Sequence, residues 1–353
     1  MSIWLRYLSI ALTLLGTVSP AAAQTFEVVG TRAAGMGGAF VAVADDASAT
    51  YWNPGGLALG RMFSAVFDRS VTDQKAGTLD DRSRHDTGSL IGLGMPALGF
   101  AHYQLRTTAV TPAGTMLAGF PQGAETPVRM VRLDKLTTYH TGVTLVQSLF
   151  QGVAIGTTLK VVHGDMATAM VPDGNRNERL DDASNLSTEG TDKFDADLGI
   201  MAGGGHLKMG LTIRNLTEPS FTITGSSDRL RLQRQARAGV AVSVAEGWAV
   251  AGDFDLTKNG PEDAPYRAFA AGTEGHLTHK VFVRSGFRLS TTGKARPSVS
   301  AGVRTRAVRI AVMDSRVDST RVAISPCLPM SRSIPVRRFG FNVSSPHSSA
   351  ALF

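Results

Sequence analysis

Apolar and polar residues alternate along most of this chain with a period of two. In Trp248 to Leu256 (WAVAGDFDL), Trp248, Val250, Phe254 and Leu256 share one parity, while Asp253 and Asp255 share the other. Val281, Val283, Phe287 and Leu289 oppose Arg284 and Arg288 in the same way. Phe194, Ala196, Leu198 and Ile200 oppose Asp195 and Asp197, and Leu207, Met209, Leu211 and Ile213 oppose Lys208 and Arg214. Successive strand side chains point to opposite faces, so each stretch reads as a strand with one oily and one charged face, not as a helix of period 3.6. Strands are expected near 62–70, 87–95, 98–110, 132–149, 153–168, 193–203, 206–216, 233–245, 248–257, 266–276, 280–290, 297–305 and 307–314. Most of them have the ~9–11 residues a tilted strand needs to cross a bilayer.

The connections between these strands alternate in length. Long linkers at 71–86, 111–131, 169–192, 217–232, 258–265 and 291–296 take turns with tight ones at Pro96, Gln151-Gly152, Gly203-Gly204-Gly205, Glu246-Gly247, and near Thr278 and Arg306. Transmembrane barrels have short periplasmic turns and longer extracellular loops, and a soluble sandwich has no reason to keep that order. The long linkers are also polar, as in Asp173 to Asp182 (DGNRNERLDD) and Gly260 to Pro265 (GPEDAP), which suits water and not hydrocarbon. The expected fold class is therefore all-β: a transmembrane antiparallel β-barrel of about fourteen strands, occupying residues 62–317.

Thirteen recognisable strands are an odd number, and an even count is needed to return the C-terminus to the periplasm with the N-terminus, so a fourteenth is expected after 318. Residues 318–353 are atypical, with Pro326, Pro329, Pro335, Pro346, the single Cys327 and a basic run. Proline cannot donate to a ladder. A last strand, a disordered tail and the product of a frame change near residue 315 all remain open for this segment, which ends on Phe353, a residue type common at the end of barrel-assembly signals.

Composition narrows the class further. Arg6, the apolar run Tyr7 to Val18 and the small residues Ser19 to Ala23 form a secretory signal peptide over residues 1–23. Hydrophobic content is 43%, yet no later segment has eighteen consecutive apolar residues, which excludes spanning helices. One cysteine permits no intrachain disulfide. The net charge of +7 comes from scattered basic residues without stacking aromatics, which argues against nucleic acid and fits attraction to outer-membrane lipid or lipopolysaccharide phosphates.

The densest motif lies at residues 24–61, between the signal and the first strand: GTRAAGMGGAFVAVADDASATYWNPGGLA, from Gly30 to Ala58. Gly35, Gly37 and Gly38 allow close backbone approach. Asp45, Asp46 and Ser48 are helix-starting residues, and Asn53-Pro54-Gly55 signals a turn. A compact small-residue segment of this kind, placed before a barrel, suits a plug or hatch inside it. The stretch GMGGAFVAVADDASATYWNPGGLA resembles the N-terminal signature of FadL-like outer-membrane transport proteins. It is most similar to the PorV/PorQ branch, where the run usually ends Asn-Pro-Ala-Gly-Leu; Gly55 stands here in place of that Ala. The resemblance implies a fourteen-stranded barrel plugged by its N-terminal segment and inserted by the barrel-assembly machinery. It also implies one of two roles: passage of hydrophobic solutes such as long-chain fatty acids, or a PorV-like accessory barrel of a secretion system that holds exported protein cargo.

Other chemistry finds little support. Gly35-x-Gly37-Gly38 lacks the preceding strand and spacing of a dinucleotide loop. Asp173 to Glu178 places oxygen ligands at alternate positions, as calcium loops do, but its Gly is misplaced. The eight His form no HExxH or tight Cys/His cluster, and there is no Gly-x-Ser-x-Gly, so neither a catalytic residue, a metal nor a cofactor is expected. His102 and His140 fall in strands, lining the lumen or the girdle. Asp195, Asp197, Asp253 and Asp255 against Lys208, Arg214, Arg284 and Arg288 suggest opposed charges paired across a lumen, with a polar solute path as the alternative. The polar linkers favour cargo binding, the resemblance favours transport, and transport is the leading expectation.

Overall fold

The computed structural model describes residues 28–74, 82–119, 125–259, 266–278, 281–292, 297–304, 308–315 and 319–326; the expected signal peptide and residues 327–353 lie outside them. The strands are β1 (Ser64–Gln74), β2 (Ser83–Gly94), β3 (Leu98–Gly119), β4 (Glu125–Phe150), β5 (Val153–Pro172), β6 (Gly190–Gly204), β7 (Leu207–Arg214), β8 (Ser220–Thr222), β9 (Arg229–Arg231), β10 (Gln235–Ala245), β11 (Trp248–Asp255), β12 (Ala268–Thr278), β13 (Val281–Ser290), β14 (Ser298–Arg304), β15 (Val308–Ser315) and β16 (Ser319–Pro326). Twelve of them, β1–β7 and β10–β14, form one antiparallel sheet in chain order, with β10 beside β7. β15 and β16 complete it to fourteen: β16 pairs with β1 from Arg69↔Ile324 to Gln74↔Ser319, so the sheet returns to its first strand. Closure leaves no open edge to hydrogen-bond in hydrocarbon.

Parity along the strands separates the two faces as the alternation requires. Outward positions carry exposed Phe67, Ile91, Leu93, Phe100, Val143, Leu145, Leu159, Val161, Phe194, Met209, Val240, Val250, Phe254, Phe269, Phe287 and Val299. In register, Val143 faces Leu159 and Val161 faces Phe194, so outward apolar residues adjoin from strand to strand. Above the band the same parity turns polar: Tyr139 faces His163, and His163 faces Asp192. An apolar band next to polar rims is the surface a bilayer selects. Among the described residues no helix is long and apolar enough to cross a membrane.

The tight turns at Gln151-Gly152 and Glu246-Gly247 stand where the sequence places them. The opposite end differs from expectation. The linker expected at 111–131 is largely strand, because β3 and β4 keep pairing from Val110↔Leu133 up to Gly119↔Glu125, past a bulge at Pro112/Gly114. The ladder therefore continues well past the apolar band. Residues 169–192, also expected as a loop, finish β5 and then form a helix, Arg176–Ser184, whose Ala183, Leu180 and nearby Leu186 pack on Val110, Val131 and Leu133. These wall residues have outward parity, so the helix lies on the outside of the β3–β5 extension. Residues 217–232 are a small hairpin, β8–β9, and not an open loop. The strand expected after 318 is β16, which ends at Pro326.

Candidate functional site: the plugged lumen

Residues 28–60 fill the interior on the side of the tight turns. A short helix at Thr31–Gly35, a turn, a second helix at Ala49–Trp52 and a 3-10 helix at Pro54–Leu59 make a compact body whose apolar residues are buried together with inward wall residues such as Leu90, Ala101, Ala241 and Ala270. Phe40 and Trp52 meet edge to face at 5.6 Å, and Trp52 Nε1 donates to the Val29 carbonyl at 2.7 Å. The indole thus buries its ring and satisfies its one donor.

Close approach explains the glycines. Gly37 has φ +67, and a Cβ there would fall 2.8 Å from the Phe287 backbone nitrogen. The wall answers with glycines of its own. A Cβ on Gly286 would lie 2.2 Å from the Met36 carbonyl carbon, one on Gly272 2.4 Å from the Met36 oxygen, and one on Gly156 2.4 Å from the Pro54 carbonyl carbon. The plug therefore packs backbone against backbone. Gly35 takes part through its carbonyl, which accepts from Ser300 Oγ at 3.1 Å, and Gly38 packs against Val28 at φ +85.

The Asn-Pro turn is a second anchor. Asn53 Oδ1 accepts from Gly55 N at 3.2 Å, while its Nδ2 donates to the carbonyls of Val41 and Ile200, each at 3.0 Å. One side chain thereby caps the 3-10 helix, closes the plug on itself and ties it to β6. Pro54 stands at the first helical position, where its missing N–H costs nothing. Asp45 and Asp46 act differently from the helix starters expected. Arg32 Nη1 bridges Asp45 at 2.6 Å and Asp46 at 3.2 Å, and its Nη2 reaches Glu274 of β12 at 2.6 Å. Burial opposes the charge of Arg32, but Asp45 and Glu274 outweigh it and hold the guanidinium pKa well above its ordinary value. Asp46 Oδ1 accepts from Ser48 N at 2.9 Å, and Lys208 Nζ lies 3.5 Å from Asp45.

The inward charges pair, but not across an open lumen as expected. Their partners are register neighbours on the next strand, which sequence reasoning missed. Lys160 of β5 sits opposite Asp195 of β6, with its Nζ 3.1 Å from Asp195 and 2.6 Å from Asp197. Arg237 of β10 faces Asp255 of β11 at 2.5 Å, and Glu274 of β12 faces Arg284 of β13 at 2.6 Å. Arg288 Nε donates to Tyr266 Oη at 2.7 Å. Within the opposed set, Arg214 and Asp197 approach each other, at 3.9 Å. Lys160, Arg237 and Glu274 stand at inward parity, so alternation supplied the signal; the pairing required the strand register. Asp253 turns to the plug instead, its Oδ2 accepting from the amides of Phe40 and Val41 at 2.7 and 2.8 Å.

Above the plug an aromatic stack continues. The Arg214 guanidinium lies 3.8 Å over Tyr51, Tyr51 meets Tyr103 edge-on at 5.1 Å, and Tyr103 stacks on His140 at 4.3 Å. Arg214 Nη2 also donates to Tyr103 Oη at 2.9 Å, and His140 Nε2 is 3.1 Å from Thr138 Oγ1. His102 has the opposite parity and faces outward, 2.8 Å from Thr141 Oγ1. The calcium-like spacing at Asp173 to Glu178 serves a helix start, where Asn175 Oδ1 accepts from Asn177 N and Arg176 pairs with Asp173. Among the described residues no group of His, Cys, Asp or Glu is arranged to hold a metal ion. Away from the plug, the β8–β9 hairpin folds inward onto the wall, with Phe221, Ile223, Leu230 and Leu232 buried against Val162, Leu136 and Met166.

Comparison with known proteins gives the same architecture. The toluene transporter TodX of Pseudomonas putida superposes with a TM-score of 0.53 at 13% identity, covering 87% of this chain and 98% of that one. The toluene transporter TbuX of Ralstonia pickettii gives 0.52 at 14% identity, covering 86% and 98%. A TodX deltaS2S3 mutant described as a monoaromatic hydrocarbon channel gives 0.54 at 13%, covering 84% and 97%. These likenesses establish a shared fold. Residues 135–255 match the family described as "F plasmid transfer operon, TraF, protein". No curated protein matches the chain.

Proposed function

We propose that this chain is an outer-membrane barrel through which small hydrophobic solutes enter the cell, with both termini in the periplasm. One observation carries the reading: a wall that is apolar outside encloses a lumen occupied by the chain's own residues 28–60, in the fold shared with hydrocarbon channels. A permanently open pore has no use for such a segment. A plug held by discrete hydrogen bonds and ion pairs, in contrast, can shift and let a solute past. The solute would meet the β8–β9 hairpin first, then the Tyr51–Tyr103–His140 stack, then the plug. Lipopolysaccharide would surround the upper rim, and the barrel-assembly machinery would insert the chain.

The test is uptake. Liposomes carrying the purified protein should accumulate labelled toluene or a long-chain fatty acid faster than empty ones, and a variant lacking residues 34–58 should alter the rate. Equal accumulation with and without the barrel would end this reading.

A second reading is favoured by the β3–β5 extension. These strands run 22, 26 and 20 residues, far beyond the ~9–11 that span a bilayer, and carry a helix on their outer side. Such a projecting wall suits an accessory barrel of the PorV kind that holds exported protein cargo. Capture of a secreted protein by the intact barrel, lost when residues 111–131 are shortened, would favour it over solute uptake.

A further inference from the structure

The β8–β9 hairpin folds inward with a phenylalanine at its tip of contact. Phe221 is 1% exposed, and its ring lies flat on Gly164 of β5: a Cβ on that glycine would fall 2.5 to 2.7 Å from three ring carbons. Val162 and Met166, at the same inward parity as Gly164, and Leu136 of β4 complete an apolar seat. Glycine at 164 makes the floor of that seat one side chain deep. The seat is separate from the apolar cluster of the plug, and its floor residue Val162 pairs in register with His140, the outer member of the aromatic stack.

The attachment of the hairpin is lopsided. Its base holds the two non-glycine residues of positive φ found among the described residues, Asn215 at 55° and Glu218 at 50°. Glu218 clamps the base by pairing with Arg231 and accepting from Arg234 N at 3.1 Å. Away from the base, Thr224 ties the hairpin to the wall: its amide donates to the Met166 carbonyl at 2.9 Å, its carbonyl accepts from Thr168 N at 3.0 Å, and its Oγ1 accepts from Glu189 N at 3.2 Å. A clamped base and a latch centred on the single residue Thr224 make a lid that can lift as a unit.

We propose that the seat is a binding site for a single apolar ring, and that Phe221 occupies it in place of the solute. The side chain of phenylalanine is toluene joined to the backbone, so the seat is already matched in width and chemistry to a monoaromatic molecule. A solute that takes the seat displaces the ring, lifts the lid and stands next to the Tyr103–His140 stack. The inference deepens the transport reading and rests on it for its physiological use, but the exchange itself is an equilibrium between two occupants of one site.

The test places 4-fluorophenylalanine at position 221 of the full chain in lipid nanodiscs and follows its fluorine resonance as aqueous toluene is added. Saturable movement from a buried to a solvent-exposed position is expected, with hexadecanoate at least about tenfold less effective. Gly164→Val, which fills the floor, should expose the fluorine without toluene and weaken the response at least about tenfold. A resonance that ignores saturating toluene, or one that hexadecanoate moves as readily, overturns the proposal. Displacement in nanodiscs without uptake by liposomes would leave the seat standing and remove the transport reading; uptake without displacement would do the reverse.

Discussion

Replacing Asp253 by Ala releases the plug at a single point. Its Oδ2 accepts both consecutive amides of the turn at Phe40 and Val41, at 2.7 and 2.8 Å, in a fully buried setting. An amide left buried without a partner costs ~1–3 kcal/mol, so losing both shifts the docked state by roughly 2–6 kcal/mol. At about 3 kcal/mol, the released population rises roughly a hundredfold, since about 1.4 kcal/mol is a factor of ten. Asp253→Asn keeps a neutral acceptor and should cost about 1 kcal/mol, because only the charge assistance is lost. Amide hydrogen exchange in nanodiscs reads this directly, because it reports local opening free energies. In Asp253→Ala, amides of residues 36–47 should exchange about a hundredfold faster while those of β3–β5 keep their rates. Unchanged exchange over 36–47, or acceleration spread evenly around the wall, would refute the view that Asp253 acts as a latch on the plug.

Three further outcomes follow from the same geometry. Gly286→Val puts a side chain where the Met36 backbone lies and should destabilise docking by ~1–3 kcal/mol, seen as trypsin cleavage at Arg32 in the folded barrel; resistance equal to wild type would contradict it. Lys160→Met takes away the cation that buried Asp195 and Asp197 share, leaving Arg214 at 3.9 Å from Asp197, and should cost ~3–5 kcal/mol, lowering the temperature at which the barrel loses its compact electrophoretic form; an unchanged temperature would show that Lys160 is not what compensates the two carboxylates. Phe254→Arg puts a charge into the apolar band at roughly 2–4 kcal/mol and should slow insertion into liposomes, whereas Asp192→Arg, in the polar zone above the band, should not; equal effects would mean that lipid does not cover Phe254.

How much of this was legible in the sequence differs by element. Strands such as Trp248–Asp255 and Val281–Ser290 declare themselves because lipid outside and charged contacts inside force opposite chemistry onto alternate residues. Beyond the band both faces meet water or another protein layer, so the alternation fades, and the upper halves of β3, β4 and β5 read as polar linkers. The plug motif was visible as glycines, paired aspartates and Asn53-Pro54, but its contacts were not. Arg32 looks like one more scattered cation until β12 brings Glu274 to it across 242 residues of chain. Likewise, Lys160, Arg237 and Glu274 are ordinary inward charges until the register pairs them with Asp195, Asp255 and Arg284. Phe221 was hidden for a further reason: a short apolar stretch in a polar linker carries no period, and only the fold shows that it reaches Gly164.

Electrical recording in a planar bilayer puts the plugged lumen to its most direct test. The full chain should insert and remain essentially non-conducting, while a folded variant lacking residues 34–58 should show large, long-lived openings. Equal conductance from the two proteins would mean that residues 28–60 do not close the barrel.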